Sequence, residues 1–380
     1  MIYFDNSATT KPFKEVLDSF VKVSYDYFGN PSSLHQIGGQ AEKVLSQSRS
    51  QLANLLGVRM SEIVFTSGGT ESNNLAIKGT VFEHSGRGKH IITSEIEHTS
   101  VRSAVEQLED SGFEVTYLPV NSKGLVDPND LINAIRADTI LVSVIHINNE
   151  VGSVQPIREI GEILTRFPKI IFHVDHVQGV GKLPLNFYEC GIDLCTISGH
   201  KFHGVKGTGA LFVRQGVHIS PLQSGGGQEG KRRNGTENVA GMVAMAKALR
   251  MSLELRERKF EQLQQNMGTI RSGLEKLSEV TIHTPVTNFA PHILNFSLRG
   301  YRAEVFVHAL EEREIYVSTT SACSSKKNSV SKTLLAMGVS ADLAASAIRI
   351  SLSYENTLEE AERVIEAVKE SVNQLREVMN

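Results

Sequence analysis

DLCTISGHKFHGVKGTGALFV, Asp193–Val213, sets two short apolar runs around a polar, glycine-rich turn. The first run, LCTIS (Leu194–Ser198), carries no charge until it gives way to Gly199, His200 and Lys201. The second, GALFV (Gly209–Val213), is equally apolar. Runs of this length and makeup read as strands buried on both faces. A lysine at the end of such a strand can lose the water around its amine, and desolvation lowers an amine's pKa towards that of a nucleophile. A loop lysine is more often simply solvated, so its surroundings in the rest of the chain decide between the two.

The same pattern recurs upstream, in EIVFT (Glu62–Thr66), HIITS (His90–Ser94), EVTYL (Glu114–Leu118), ILVSVIH (Ile140–His146) and IIFHVD (Ile170–Asp175). Helical patterns such as Thr99–Glu109 and Pro156–Phe167 lie between them. Strand-like runs separated by helices predict an α/β fold, a mostly parallel seven-stranded sheet flanked by helices. Ligands in such folds collect at the carboxyl ends of the strands. From Glu237 to about Leu277 the chain is helical with few breakers, too long for one ordinary helix, and reads as a connector. HILNFSL (His292–Leu298), AEVFVHALEER (Ala303–Arg313), IYVST (Ile315–Thr319), AIRISLS (Ala347–Ser353) and a final amphipathic helix, Leu358–Val378, then predict a smaller α+β unit. The expected division is a large domain over residues 15–255 and a small one made of residues 1–14 and 256–380.

The 380 residues carry a net charge of −3 and are 40% hydrophobic and 21% charged, the makeup of a globular chain without a nucleic-acid-binding field. No apolar stretch reaches the roughly 18 residues that a membrane helix needs. MIYFDNSATTKPF, at the start, is neither basic nor followed by an apolar segment, so no export signal is expected. The three cysteines, Cys190, Cys195 and Cys323, lack zinc-ligand spacing. Their odd number suits a reducing cytoplasm and leaves a thiol to explain.

Polar clusters stand at the predicted strand ends. TSGGTESNN (Thr66–Asn74), containing Gly69 and Thr70, is a glycine-rich turn opening a helix. Its backbone N–H groups and hydroxyls suit a phosphate, although a plain helix cap with Glu71 in the first turn is the simpler local reading. Ser198, Gly199 and His200 add donors beside Lys201, and NGTEN (Asn234–Asn238) makes another Gly-Thr turn. Asp175 ends IIFHVD, where it is either a helix cap or a buried carboxylate in need of a cationic partner such as a protonated ring nitrogen. His98, after SEIE, is a metal ligand, a stacking ring or a loop residue, and no second histidine at ligand spacing supports a metal. A phosphate cradle, an aspartate, a histidine and a lysine together are what pyridoxal 5'-phosphate requires. No GxxxxGK[ST] or GxGxxG follows a first strand, which argues against a nucleotide site.

Cys323 lies in STTSACSSKKNSVSK (Ser318–Lys332), small and polar without an apolar period, which reads as an exposed, mobile loop. Lys326 and Lys327 nearby would favour its thiolate, the reactive form. Cys195, inside an apolar strand, reads as core packing, and Cys190, before Gly191, as structural.

With these parts in view, the chain resembles a group I cysteine desulfurase, in the class V aminotransferase branch of the PLP fold type I enzymes. The resemblance rests on YFDNSATT (Tyr3–Thr10), FGNPSSLH (Phe28–His35), TSGGTESNN, SEIEHTSV (Ser94–Val101) and NNEVGSVQP (Asn148–Pro156). It continues through VDHVQ (Val174–Gln178), SGHKFHGVKGTGAL, GGGQEGKRRNGTEN (Gly225–Asn238), SACSS (Ser321–Ser325) and RISLS (Arg349–Ser353). These motifs run from residue 3 to residue 353 in family order. The resemblance implies a homodimer that converts L-cysteine to L-alanine. Lys201 would bond the cofactor aldehyde, His98 stack on its ring, Asp175 pair with the pyridine nitrogen and Gln178 bond the phenolic oxygen. Thr70, Ser198 and His200 would hold the phosphate, with Thr236 supplied by the other subunit, and Gly69 and Gly199 would also contact the cofactor. Asn149 would touch both cofactor and substrate, Arg349 would grip the cysteine carboxylate as a guanidinium can, and Cys323 would accept the sulfur as a persulfide.

Two residues depart from the family pattern: His176, where a small apolar residue is usual, and Thr320, where glycine is common. The chain also stops soon after its last helix, without the extension by which many relatives dock an iron–sulfur scaffold. That leans the expected acceptor towards a tRNA-thiolating sulfurtransferase, with the scaffold as the alternative. The rivals are a selenocysteine lyase, an aminotransferase of the same fold, and a sulfur-carrier protein whose cofactor site has decayed.

Overall fold

A computed structural model describes residues 1–319 and 330–379. After β1 (Ile2–Tyr3), the seven expected strands follow as β2 (Ile63–Thr66), β3 (His90–Ser94), β4 (Glu114–Leu118), β5 (Thr139–Ile145), β6 (Ile171–Asp175), β7 (Leu194–Ser198) and β8 (Gly209–Val213). They form one sheet in the order β2-β8-β7-β6-β5-β3-β4. β8 runs antiparallel to both of its neighbours and the other pairs are parallel, as in the expected fold. Six of these strands are buried along their whole length, which is why they read as unbroken apolar runs. β4, at the edge, begins exposed.

Alternate residues of each strand enter opposite cores. Val64, Ile91, Leu194 and Leu211 pack with α3 (Gly69–His84) and α4 (Thr99–Asp110) on one face, through Leu75, Ile77, Val101 and Val105. On the other face Phe65, Ile197 and Ala210 meet Phe13 and Val16, the latter on α1 (Lys14–Asp26), and Leu45 and Leu52 of α2 (Gln36–Leu56). Farther along that face, Ile92, Val142 and Phe172 pack with Leu131 of α5 (Pro128–Ala134) and Ile160 of α6 (Ile157–Leu164).

The stretch expected as a connector is a single 36-residue helix, α7 (Val239–Leu274). It is long because it serves two cores. Met242, Met245 and Leu249 join the α1–α2 side of the large sheet, whereas Leu263, Met267, Ile270 and Leu274 join the second core. That second core surrounds β9 (Val280–Ile282), β10 (Ile293–Leu298), β11 (Ile315–Tyr316), β12 (Ser318–Thr319) and β13 (Ala347–Ser351). Four of them form an antiparallel sheet, in the order β12-β13-β10-β9. α8 (Ala303–Glu311), α9 (Lys332–Ala336), α10 (Ala341–Ala345) and α11 (Leu358–Met379) accompany it. β1 pairs in parallel with β11, so the beginning of the chain lies in this second unit. Phe4, fully buried, anchors it there.

Candidate active site

A cavity of about 240 Å³ opens at the carboxyl ends of β2, β3, β5, β6 and β7. Strand ends place Asp175 and Ser198 in its wall. The turns that follow add Lys201, His200, Gln178 and Asn149, and the first turn of α3 adds Gly69 and Thr70. His98, the N-cap of α4, faces the same space. Ser7 and Ala8 close it from the start of the chain.

Lys201 ends a single tight turn, Gly199–Lys201, that leaves β7 directly. Its Nζ donates to the main-chain carbonyls of Ser7 and Ala8. The turn is clamped by the first strand's continuation: Thr10 N–H donates to the His200 carbonyl at 2.9 Å, and His203 N–H donates to Thr10 Oγ1 at 2.7 Å. His203 needs that support, because its backbone sits at φ +64°, a region costly for any side chain. From behind, Lys182 Nζ donates to the Lys201 carbonyl at 3.0 Å. Lys182 is buried, and burial, with Lys201 nearby, pulls its pKa down to about 7.

Asp175 caps no helix. Its Oδ1 accepts the N–H of Val177 two residues on, at 3.0 Å, and its Oδ2 accepts Asn73 Nδ2 at 2.8 Å. Burial pushes the neighbouring Glu97 up to about 8, with Asp175 adding to the rise and hydrogen bonds from Ser94 and the Ile145 N–H opposing it. Glu97 is therefore a neutral acid at pH 7, and Asp175 has no second full charge beside it from this residue. His98 is held below the ordinary imidazole range by burial, with Lys201 and Arg349 also lowering it and Asp175 opposing. Burial lowers His200 to about 4, so that it faces the cavity as a neutral ring.

Four buried polar atoms on residues lining this one cavity have no hydrogen-bond partner among the described residues: Ser7 Oγ, Asn73 Oδ1, Gln178 Oε1 and Ser198 Oγ. Each such atom costs about 1–3 kcal/mol when left unpaired. Their convergence marks a space built for a polar ligand. The glycine-rich turn is shaped for the same purpose. A Cβ on Gly69 would lie 3.0 Å from Val177 Cγ2 and 3.4 Å from Ser198 Cβ, filling the gap between α3 and β7. Glu71 stands in the first turn as expected, accepting the Ser67 N–H at 2.8 Å, and also pairs with Arg233 at 2.7 Å. Among the described residues no side chain caps the start of α3, whose first residues Gly69 and Thr70 line the cavity, and a helix end of this kind attracts an anion. A lysine amine, an anion cradle and a buried carboxylate in one cavity fit pyridoxal 5'-phosphate.

Gly199, Thr236 and Arg349 do not line the cavity. The Gly199 N–H is used by the Thr208 carbonyl at 2.9 Å, and Thr236 is exposed. Arg349, on β13, is buried immediately behind Asn149. Its Nη1 donates to the Asn149 carbonyl at 2.8 Å, its Nη2 to Asp5 Oδ1 at 2.9 Å, and its Nε has no partner among the described residues. Cys323, Thr320, Lys326 and Lys327 lie outside the described residues. Cys195 and Cys190 are buried and hydrophobically packed, and burial pushes both thiols up, away from reactivity. Ser7, Asn73, Ser100 and Lys182 belong to the site or its support and carried no local signal. Ser7, Asn73 and Ser100 fall inside the quoted motifs YFDNSATT, TSGGTESNN and SEIEHTSV, whereas Lys182 lies in none.

The class-V aminotransferase family model matches residues 2–364. The chain is 49% identical to a NifS/IcsS protein homolog of Lactobacillus delbrueckii subsp. bulgaricus over 97% of each chain. It is 42% identical to the cysteine desulfurase IscS of Dictyoglomus turgidum, covering 99% of this chain and 96% of that one. A solved structure described as a NifS-like protein superposes with a TM-score of 0.92 at 37% identity, covering 98% of this chain and 99% of the other.

Proposed function

The chain belongs to the class-V aminotransferase family as a pyridoxal-phosphate-dependent cysteine desulfurase, and from that premise we propose that Lys201, Asp175, His98 and Cys323 carry the conversion of L-cysteine to L-alanine. The observation behind this reading is the cavity where Lys201 Nζ, the Asp175 carboxylate and four unpaired buried polar atoms meet. The bound cofactor supplies an aldehyde for amine capture and an electron-withdrawing ring.

The protein's own residues divide the remaining work. Lys201 Nζ is the amine that would hold the cofactor aldehyde, and once substrate is bound it moves the substrate's Cα proton. Asp175, steadied at both oxygens, keeps the ring nitrogen protonated. Ser198, Thr70 and the first turn of α3 would hold the phosphate, and Gln178 would bond the phenolic oxygen. Asn149 receives the substrate carboxylate with Arg349 behind it, whose Nε, unpaired among the described residues, offers one N–H. Cys323, as thiolate, attacks the substrate sulfur. The new S–S bond forms as the Cβ–S bond breaks, leaving a persulfide on Cys323 and, after protonation at Cβ, L-alanine.

In this reading residues 15–255 are the cofactor domain and residues 1–14 with 256–380 the smaller domain. The active form is a homodimer in which Thr236, exposed in one subunit, reaches the partner's phosphate. Val21, Tyr25, Phe28 and Leu34 are exposed on the α1–α2 side and supply apolar surface for such an association. The acceptor we put forward is the thiol of a tRNA-thiolating sulfurtransferase, with an iron–sulfur scaffold as the competing recipient in a radiolabelled-sulfur transfer assay. The basic pair Lys326–Lys327 suits an acidic docking surface on either.

The central test measures alanine and sulfide from L-cysteine with a reductant present, using wild type, Cys323→Ser and Lys201→Ala. One-for-one products from wild type are expected, with turnover lost in both variants and the cofactor absorption band kept only by Cys323→Ser. Sulfide release by Cys323→Ser at the wild-type rate would remove Cys323 from the reading and favour a selenocysteine lyase or amino-group transfer.

A further inference from the structure

His98 and Asp175 stand on different strand ends, yet one short chain of hydrogen bonds joins them. Asn73, on the first turns of α3, is almost fully buried and donates from Nδ2 twice, to Asp175 Oδ2 and to Ser100 Oγ, each at 2.8 Å. The orientation of this amide is forced, since its oxygen turned towards Asp175 would set two acceptors against each other. Ser100 Oγ, having accepted one proton from Asn73, has its own hydroxyl proton left for His98 Nδ1, 2.8 Å away. The Ser100 N–H donates to the same Nδ1 at 3.1 Å. A backbone N–H can only donate, so Nδ1 must present its lone pair, and the proton of the neutral ring sits on Nε2.

We propose that Asn73 and Ser100 are positioning residues, forming a relay from Asp175 through Asn73 and Ser100 to His98 that orients the carboxylate and fixes His98 as the neutral Nε2–H tautomer. The proposal rests on the reading that Asp175 and His98 serve the cofactor. Its consequence is directional. His98 offers a proton at Nε2, and taking up a second proton at Nδ1 would drive an N–H against the donors of Ser100. Burial and the cations Lys201 and Arg349 act in the same sense on this ring, against the attraction of Asp175. Thr70 and Asn73 are three residues apart on α3, so one helix face serves both the anion cradle and the relay.

The decisive measurement is a long-range proton–nitrogen correlation spectrum of the full-length holoenzyme labelled at histidine nitrogen, with His98 assigned by its loss in His98→Gln. A protonated Nε2 beside a bare Nδ1 is expected at neutral pH. An imidazolium, or a proton on Nδ1, overturns the relay, and His98→Gln is needed only to assign the signal. Asn73→Leu and Asp175→Asn are then compared for cofactor dissociation and band position. Asn73→Leu is expected to weaken cofactor binding about tenfold, the loss of one charge-assisted hydrogen bond, and to shift the band. If Asp175→Asn moves both quantities and Asn73→Leu neither, the relay is wrong while the role of Asp175 stands. If neither variant moves them, the reading of Asp175 fails and the relay fails with it.

Discussion

Lys182 shows how much a single residue can cost its fold. Its amine is buried and its one described hydrogen bond is to the Lys201 carbonyl. Burial, with Lys201 adding, lowers its pKa from 10.5 to about 7. Between those values the unfolded chain binds a proton that the folded chain refuses, so stability contributed here rises with pH from 7 to 10.5 and is lowest at and below 7. At about 1.4 kcal/mol per pKa unit the penalty at pH 7 is on the order of 4 kcal/mol, against about 1 kcal/mol for the hydrogen bond. Lys182→Met is therefore expected to raise the unfolding midpoint at pH 7 and to flatten its dependence on pH between 7 and 10. An unchanged slope would place the ammonium in water. Lys201, Asp175 and Ser198 were readable in the sequence because each interrupts or ends an apolar run. Lys182, in GVGKLPL, interrupts nothing. Asn73 and Ser100 sit in ordinary helix starts and acquire their roles only when β6 is laid beside α3 and α4.

At the level of elements, the strands were legible to within a residue or so because burial on both faces leaves no polar alternation to blur their ends. His146 was expected in β5 but falls just beyond it. There its Nδ1 meets His176 Nδ1 at 2.8 Å, so the histidine that stands where the family has a small apolar residue gains a partner on the next strand end. α7 was seen as helical but not as one rod, since its length is set by two cores that no local pattern reports. Close element contacts are equally silent. Gly161, inside α6, faces the Cys190 carbonyl, and a Cβ added there would lie 1.9 Å from that oxygen and 2.7 Å from the carbonyl carbon. Both obstacles are backbone, so α6 or the turn before β7 must shift. Gly161→Ala is expected to lower stability by about 3 kcal/mol, the upper range for overpacking, without altering the cofactor spectrum of the folded protein. A denaturant midpoint within error of wild type would show that α6 moves freely.

For the whole molecule, the buried histidines set the acid limit. Burial lowers His146, His203 and His283 to about 4 and His173 to about 3, against 6.5 when unfolded. None touches the cofactor cavity. From pH 6.5 downwards the unfolded chain gains protons that these rings cannot take in place, so stability falls until the folded values are reached near pH 4. The unfolding midpoint of the cofactor-loaded protein should lose little to these groups between pH 8 and 7 and drop steeply between 6.5 and 4.5. A midpoint at pH 5 equal to that at pH 7 would contradict it. A different consequence follows from the pairing of β1 with β11. Asp5 meets Arg349 and Asn6 meets the Ser351 carbonyl, while Ser7 and Ala8 hold Lys201. Those few residues are synthesised some 300 positions before the strands that receive them. At roughly 5–20 residues per second they wait about 15–60 s on the ribosome. The seven-stranded sheet can assemble during that interval with one wall of the cavity open. The window for loading a cofactor thus shuts with the last strands of the second unit, and the wait is a time in which a chaperone or the cofactor itself has its easiest access.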